Sequence, residues 1–225
     1  MKGREDWMAT INLERRSQIG QARREKTRRQ ILEAAFRVFA ERGYEAPTTD
    51  DLVAEAGVAR GTFYGYFETK EEIMRCVARV FVDSIEAGFA TLLNGIADPG
   101  ERVALRIRFL CEKSVASPSW GWLIIRSVPT GPLGTRSRQA FLHDIASGLE
   151  SGQFEVPSVQ AALDLVQGAV IMGVRTMLVD SSLSSVHVDD ILSSILRGLG
   201  ASARRTLTLC RKSRAAYRAA EPKLN

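Results

Sequence analysis

An all-α fold is expected, on three observations. Apolar residues recur at three- and four-residue spacings through most of the chain, no run alternates long enough to build a sheet, and the breaks between periodic runs carry Gly, Pro, Asp or Ser. A first helix is expected over Arg24 to Arg42, where Ile31, Ala35 and Phe39 form one stripe with Leu32 and Phe36 beside it, and Gly43 supplies the C-cap. Thr48 with Asp51 three residues on is close to a capping box, and it opens a short helix from Thr49 that ends at Gly57. A new apolar pattern through Val58, Phe63 and Phe67 follows at once, so a second short helix comes after a sharp corner. Lys70 to Asn94 reads as a long amphipathic helix bearing Ile73, Val77, Val80, Phe81, Ile85 and Phe89.

Beyond the turn at Asp98-Pro99-Gly100, Glu101 to Ala116 is helical, and Pro118-Ser119 restarts the chain into an apolar segment, Trp120 to Val128. The stretch from Pro129 to Pro132 reads as a loop. Arg136 to Glu150 is a further helix closed by Gly152, and Ser158 to Val179 and Val188 to Leu199 are two long apolar helices separated by a serine-rich turn. The last segment, Ala201 to Arg218, is basic and reads as a partly exposed helix.

Bulk properties narrow the function. At 225 residues, with 45% apolar and 25% charged, the chain is ordinary for a soluble protein of one large or two modest domains. The segment before Ile31 is crowded with Arg, Lys and Glu, unlike a signal peptide. Ala161 to Val179 contains Asp164, Gln167 and Arg175, so it reads as a buried helix and not a membrane span, and a cytoplasmic protein is expected. Cys76, Cys111 and Cys210 lie far apart without any CxxC pattern, which favours reduced structural thiols. With only His143 and His187 available, no metal set, cofactor motif or catalytic constellation is found.

The net charge of +5 is unevenly spread. Arg15 to Gln30 holds seven basic residues against Glu25, and Ala201 to Asn225 seven against Glu221, so each end carries +6 and the rest of the chain −7. Such asymmetry points to a polyanion-facing end on a mildly acidic body.

Two short helices around Gly57 make a helix-turn-helix when certain positions are apolar, and Leu52, Val53, Ala56, Val58 and Phe63 meet that need. Gly57 suits the left-handed turn, while Arg60, Gly61, Thr62, Tyr64 and Tyr66 lie at spacings that leave them outward. The run ILEAAFRVFAERGYEAPTTDDLVAEAGVARGTFYGYFETKEEIM, Ile31 to Met74, resembles the DNA-binding region of the TetR family of transcriptional regulators. It departs from the family's pattern at Val53, Ala59 and Gly65. The resemblance implies that Thr48 or Thr49, Tyr64, Tyr66 and Lys70 touch phosphates, and that Arg60, the Gly61 backbone and Thr62 approach base edges. It also implies a homodimer on an operator in double-stranded DNA and a small-molecule effector that releases the protein from it.

The expected organisation is a basic extension over 1–22, a DNA-binding domain over 23–70, an effector-binding and dimerisation domain over 71–200, and a basic segment over 201–225. Phe109, Trp120, Trp122, Phe141, Met172 and Arg175 are candidates for an apolar effector pocket with a few polar anchors. The helices Ser158 to Val179 and Val188 to Leu199, with Leu192 and Ile195 among their apolar residues, are expected to pair with their copies across a two-fold axis, as the resemblance implies. Two other readings stay open. One is a helical ligand-binding or enzymatic protein with a vestigial helix-turn-helix, and the other an architectural protein that binds DNA without reading sequence.

Overall fold

The computed structural model describes residues 2–127 and 135–224, and every regular element among them is helical. Ten α-helices follow in order: α1 Lys2–Arg42, α2 Thr49–Ala56, α3 Arg60–Tyr64, α4 Lys70–Leu93, α5 Pro99–Ala116, α6 Pro118–Ser127, α7 Thr135–Glu150, α8 Val159–Val179, α9 Ser184–Gly198 and α10 Ala203–Ala220. The expected loop from Pro129 to Pro132 lies outside the described residues. The chain divides into two compact units, Met1–Val77 and Ala78–Asn225, and α4 contributes residues to both.

The core of the first unit is small and fully apolar. Ile31, Ala35 and Phe39 of α1 meet Leu52 and Ala56 of α2, Phe63 of α3, and Phe67, Ile73 and Val77 beyond it, all buried. Gly43 ends the first helix at φ 76°, with its N–H on the Phe39 carbonyl. Gln30 Nε2 donates to the Ala56 carbonyl at 2.8 Å, giving the last turn of α2 a partner on α1. Helix α1 starts much earlier than its apolar stripe. Residues 2–23 continue the helix N-terminally, with the good helix formers Arg, Glu, Gln and Ala among them.

The second unit is arranged around α5, which packs against α6, α7, α8, α9 and α10. Asp98 caps α5 by accepting from the Glu101 N–H at 2.9 Å, and Pro99 occupies its first turn. Since α5 is covered on all sides, its charged residues need internal partners. Asp144 of α7, itself buried, accepts from Arg102 at 2.6 Å and from Arg106 at 3.0 Å. Arg108 is 1% exposed and donates to Ser213 Oγ at 3.0 Å, Glu112 at 3.1 Å and Asp189 at 2.5 Å. That one side chain joins α5 to α9 and α10. Helix α10 is thus docked by Thr206, Leu209, Ser213 and Tyr217, and its basic residues Arg204, Arg211 and Arg218 stay exposed.

Helix α8 is long and apolar enough to cross a membrane by length and composition, with 39% of its most apolar window buried within the protein. It packs against α5, α6, α7 and α9. At Gly173 a Cβ would stand 1.8 Å from Ile191 Cδ1, so glycine is what lets α8 and α9 approach here. Leu192 and Ile195, expected at a two-fold interface, are 0% and 2% exposed within a single chain. They fill the core that α9 shares with its neighbours in the same protomer. The exposed large apolar residues of this region are instead Leu165, Met172 and Val179 of α8, Leu183 in the turn after it, and Val186 of α9.

Candidate DNA-reading surface and effector cavity

Helix α2 begins with a complete capping box. Thr48 Oγ1 accepts from the Asp51 N–H at 3.2 Å, and the Asp51 carboxylate accepts from the Thr48 N–H at 2.7 Å. The Thr48 hydroxyl and N–H hold the Asp51 carboxyl below the usual carboxylate range. At the other end Gly57 adopts φ 62°, ψ 31°, and its N–H meets the Val53 and Ala54 carbonyls. A Cβ at Gly57 would meet nothing within 4 Å, so the backbone angle, not space, calls for glycine. The chain then turns into α3 through Ala59, which provides no side-chain cap.

Helix α3 buries only Phe63. Arg60, Gly61, Thr62 and Tyr64 are exposed, while Tyr66 and Thr49 are half-buried and Thr48 is exposed at the start of α2. Arg60 makes a solvent-exposed ion pair with Asp50 at 3.3 Å and lies 5.8 Å from the Tyr64 ring centre. Exposed pairs of this kind contribute little, about 0 to 1 kcal/mol, so the guanidinium is readily redirected. At Gly61 an added Cβ would again find open space, and here φ imposes no demand for glycine either. The fold itself gives no reason for the missing side chain.

Lys70 turns its ammonium back onto the protein. Its ammonium donates to the carbonyl oxygens of Tyr44 at 2.8 Å, Pro47 at 3.0 Å and Glu45 at 3.2 Å. Its three protons are matched by three acceptors from the segment joining α1 to α2. The Tyr44 hydroxyl in turn donates to Glu71 at 2.9 Å, and burial followed by that bond raises the Tyr44 pKa.

The second unit contains a mostly apolar cavity of about 60 Å³. Ile85 and Phe89 of α4, Ile124 of α6, Phe141 of α7, and Val166 and Val170 of α8 form its walls, and Ser137, Arg138 and Gln167 are its polar lining. Of the six residues singled out from sequence, Phe141 lines this cavity. Phe109 and Trp120 are buried against Phe89 and Phe81, and the Trp120 indole N–H donates to Ser84 Oγ at 3.2 Å. Trp122 is half-buried with Arg126 5.5 Å from its ring centre. Met172 and Arg175 are exposed on α8 and line no part of the cavity. Sequence reasoning missed Arg138 and Gln167. Arg138 lies three residues before Phe141, the i, i+3 spacing that puts both on one face of α7, which was the available signal.

A capped helix, a left-handed glycine turn and a short helix with an open outer face define a helix-turn-helix DNA-binding protein, here joined to a helical unit with a mostly apolar cavity. The comparisons agree. Residues 31–77 match the model for bacterial regulatory proteins of the tetR family, and residues 98–211 match that for the tetracyclin repressor-like C-terminal domain. The transcriptional repressor KstR2 of Mycobacterium tuberculosis is 37% identical over 139 residues, covering 56% of this chain and 68% of that protein. Among solved structures, RolR in complex with the ligand resorcinol aligns at 25% identity and TM-score 0.61, over 84% of this chain and 95% of RolR. An ArpA-like gamma-butyrolactone receptor shares the fold at 22% identity and TM-score 0.67, over 85% and 98% of the two chains. The chain belongs to the TetR family of DNA-binding transcriptional regulators.

Proposed function

We propose that the protein is a homodimeric repressor that holds an operator through α2 and α3 of both protomers and releases it when a small molecule enters the α4–α8 cavity. The observation that carries this reading is the outer face of α3, where Arg60, Gly61, Thr62 and Tyr64 stand exposed behind a capped, glycine-turned α2. Arg60 and Thr62 would reach base edges, with the bare Gly61 allowing close approach, and Thr48, Thr49, Tyr64 and Tyr66 would contact phosphates. Lys70 acts behind them by holding the α1–α2 connection in place. A phosphate contact would require it to exchange a carbonyl partner.

The second copy would cover the exposed stripe Leu165, Met172 and Val179, which repeats every seven residues along α8 and has the open Gly168 between its members. The cavity would hold the effector, since it combines apolar walls with a few polar groups. Helix α4 supplies Lys70 at one end and the cavity residues Ile85 and Phe89 further along, so one continuous helix belongs to both functions. KstR2, a repressor, and RolR, solved with resorcinol, support regulation by a small ligand. A regulator of this kind works in the cytoplasm, beside the chromosome.

Selection of fragments from genomic DNA by the full-length protein, followed by footprinting, tests the reading. The expected outcome is a two-fold symmetric site with half-sites about 34 to 36 Å apart, or a multiple of that. Equal affinity for every fragment at physiological salt would leave only charge-driven binding and overturn it.

A further inference from the structure

The half-buried Arg138 guanidinium has no carboxylate partner among the described residues. Its Nη2 donates to Gln160 Oε1 at 2.6 Å and its Nη1 reaches Gln167 Oε1 at 3.5 Å, both neutral amides. Several other arginines of this unit have carboxylate partners: Arg102 and Arg106 share Asp144, Arg108 has Glu112 and Asp189, and Arg205 has Asp98. Arg138 is also the one of these five that lines the cavity.

Two of the three polar lining residues, Arg138 and Gln167, offer donors to the chamber. Gln167 points its oxygen to Arg138, which leaves its amide N–H groups as what it can still offer. The third, Ser137, spends its proton on the Glu86 carboxylate at 2.8 Å and keeps only acceptor lone pairs. The remaining walls are hydrocarbon and aromatic. A fork of guanidinium N–H groups beside an apolar chamber matches a planar anion with two oxygens, which it bonds in parallel, carried on an apolar body. The chamber's 60 Å³ is several times the roughly 10 to 15 Å³ that one water needs, a size suited to a single ring or a short chain.

We propose that the effector is a small carboxylate whose apolar body fills the cavity and whose carboxylate pairs with Arg138 and the Gln167 amide. This rests on the reading of the cavity as the effector site. A neutral amide of the same shape could accept through only one oxygen and would leave the guanidinium charge uncompensated.

The test compares phenylacetate with phenylacetamide, and hexanoate with hexanamide, by calorimetry on the full-length protein, its Arg138→Met variant and a cavity-filling Val170→Trp variant whose fold is checked by thermal melting. At least one acid should bind about tenfold or more tightly than its amide. Arg138→Met should bring that ratio to about one, and Val170→Trp should abolish binding of both. The wild-type ratio needs no variant, so a folding failure cannot decide the matter. Amides that bind the wild type as well as acids, an acid preference that survives Arg138→Met, or no binding by either acid would overturn the carboxylate assignment. Amide binding lost in Val170→Trp without any acid preference would overturn that assignment alone, whereas acid binding unchanged in a folded Val170→Trp would overturn the cavity reading itself.

Discussion

Lys70 reaches back to the carbonyl oxygen of Tyr44, 2.8 Å away, and its ammonium sits 4.5 Å from the centre of the same tyrosine's ring. One residue thus binds both the backbone and the side chain of the segment that leads into α2. Lys70→Met keeps the hydrocarbon stem and removes every donor. It should lower the stability of the first unit by about 1 to 3 kcal/mol, the usual range for bonds to a charged donor. Amide hydrogen exchange should show faster opening around residues 44–51. Unchanged exchange there, with weakened binding to all DNA, would return Lys70 to a purely phosphate-contacting role.

Gly61→Ala separates folding from recognition. Because the added methyl meets no atom within 4 Å and the backbone angle is ordinary, the variant should be as stable as the parent or more stable by up to about 1 kcal/mol. Operator affinity should nonetheless fall at least several-fold, since the methyl would stand where DNA approaches. Thermal melts and quantitative gel shifts on the same preparations check this, and full operator affinity would show that α3 does not come close to the bases.

Two kinds of substitution distinguish interface from interior. Met172 and Val179 are 56% and 68% exposed, so Met172→Glu with Val179→Glu should yield a folded monomer in light scattering. Leu192→Glu buries a charge inside the protomer and should unfold the second unit. A double variant that remains dimeric would place the two-fold contact on another face.

Alkaline stability should depend on two buried groups. Burial pushes the Cys111 thiol up to about 12 from an ordinary 9.0, and the Tyr217 hydroxyl up to about 12 from 10.0. Both fold best protonated, so their contribution is complete below about pH 9 and is lost as pH rises towards 12. The fall is at most about 1.4 kcal/mol per pH unit for each group. Cys111→Ala combined with Tyr217→Phe should flatten the decline measured by chemical denaturation. An equally steep decline in the double variant would assign it to other groups.

The sequence was most legible where local chemistry acts alone. Thr48 with Asp51, and Gly57, announce a helix start and a left-handed stop whatever the rest of the chain does, and both occur in the structure. The eight DNA-contact candidates came from the family resemblance laid on that frame. Periodicity, by contrast, reports that a face is buried but not what covers it. Leu192 and Ile195 therefore looked suited to a partner chain while serving their own protomer, and Met172 looked like pocket lining while exposed. The start of α1 was not legible because charged and polar residues dominate the run before Arg24 and set no clear apolar period. Arg138 was overlooked because its meaning depends on the lack of a carboxylate nearby, which only tertiary structure reveals.

The central claim, that α3 reads base sequence, is tested most directly by comparing the parent with Arg60→Ala on the best genomic fragment and on a scrambled duplex at one fixed salt concentration. A bidentate base contact is worth about 1 to 3 kcal/mol of discrimination. The account predicts that Arg60→Ala weakens the specific complex about 5-fold to 150-fold while affinity for the scrambled duplex changes far less. Equal losses on both duplexes would contradict it and reduce Arg60 to a phosphate contact.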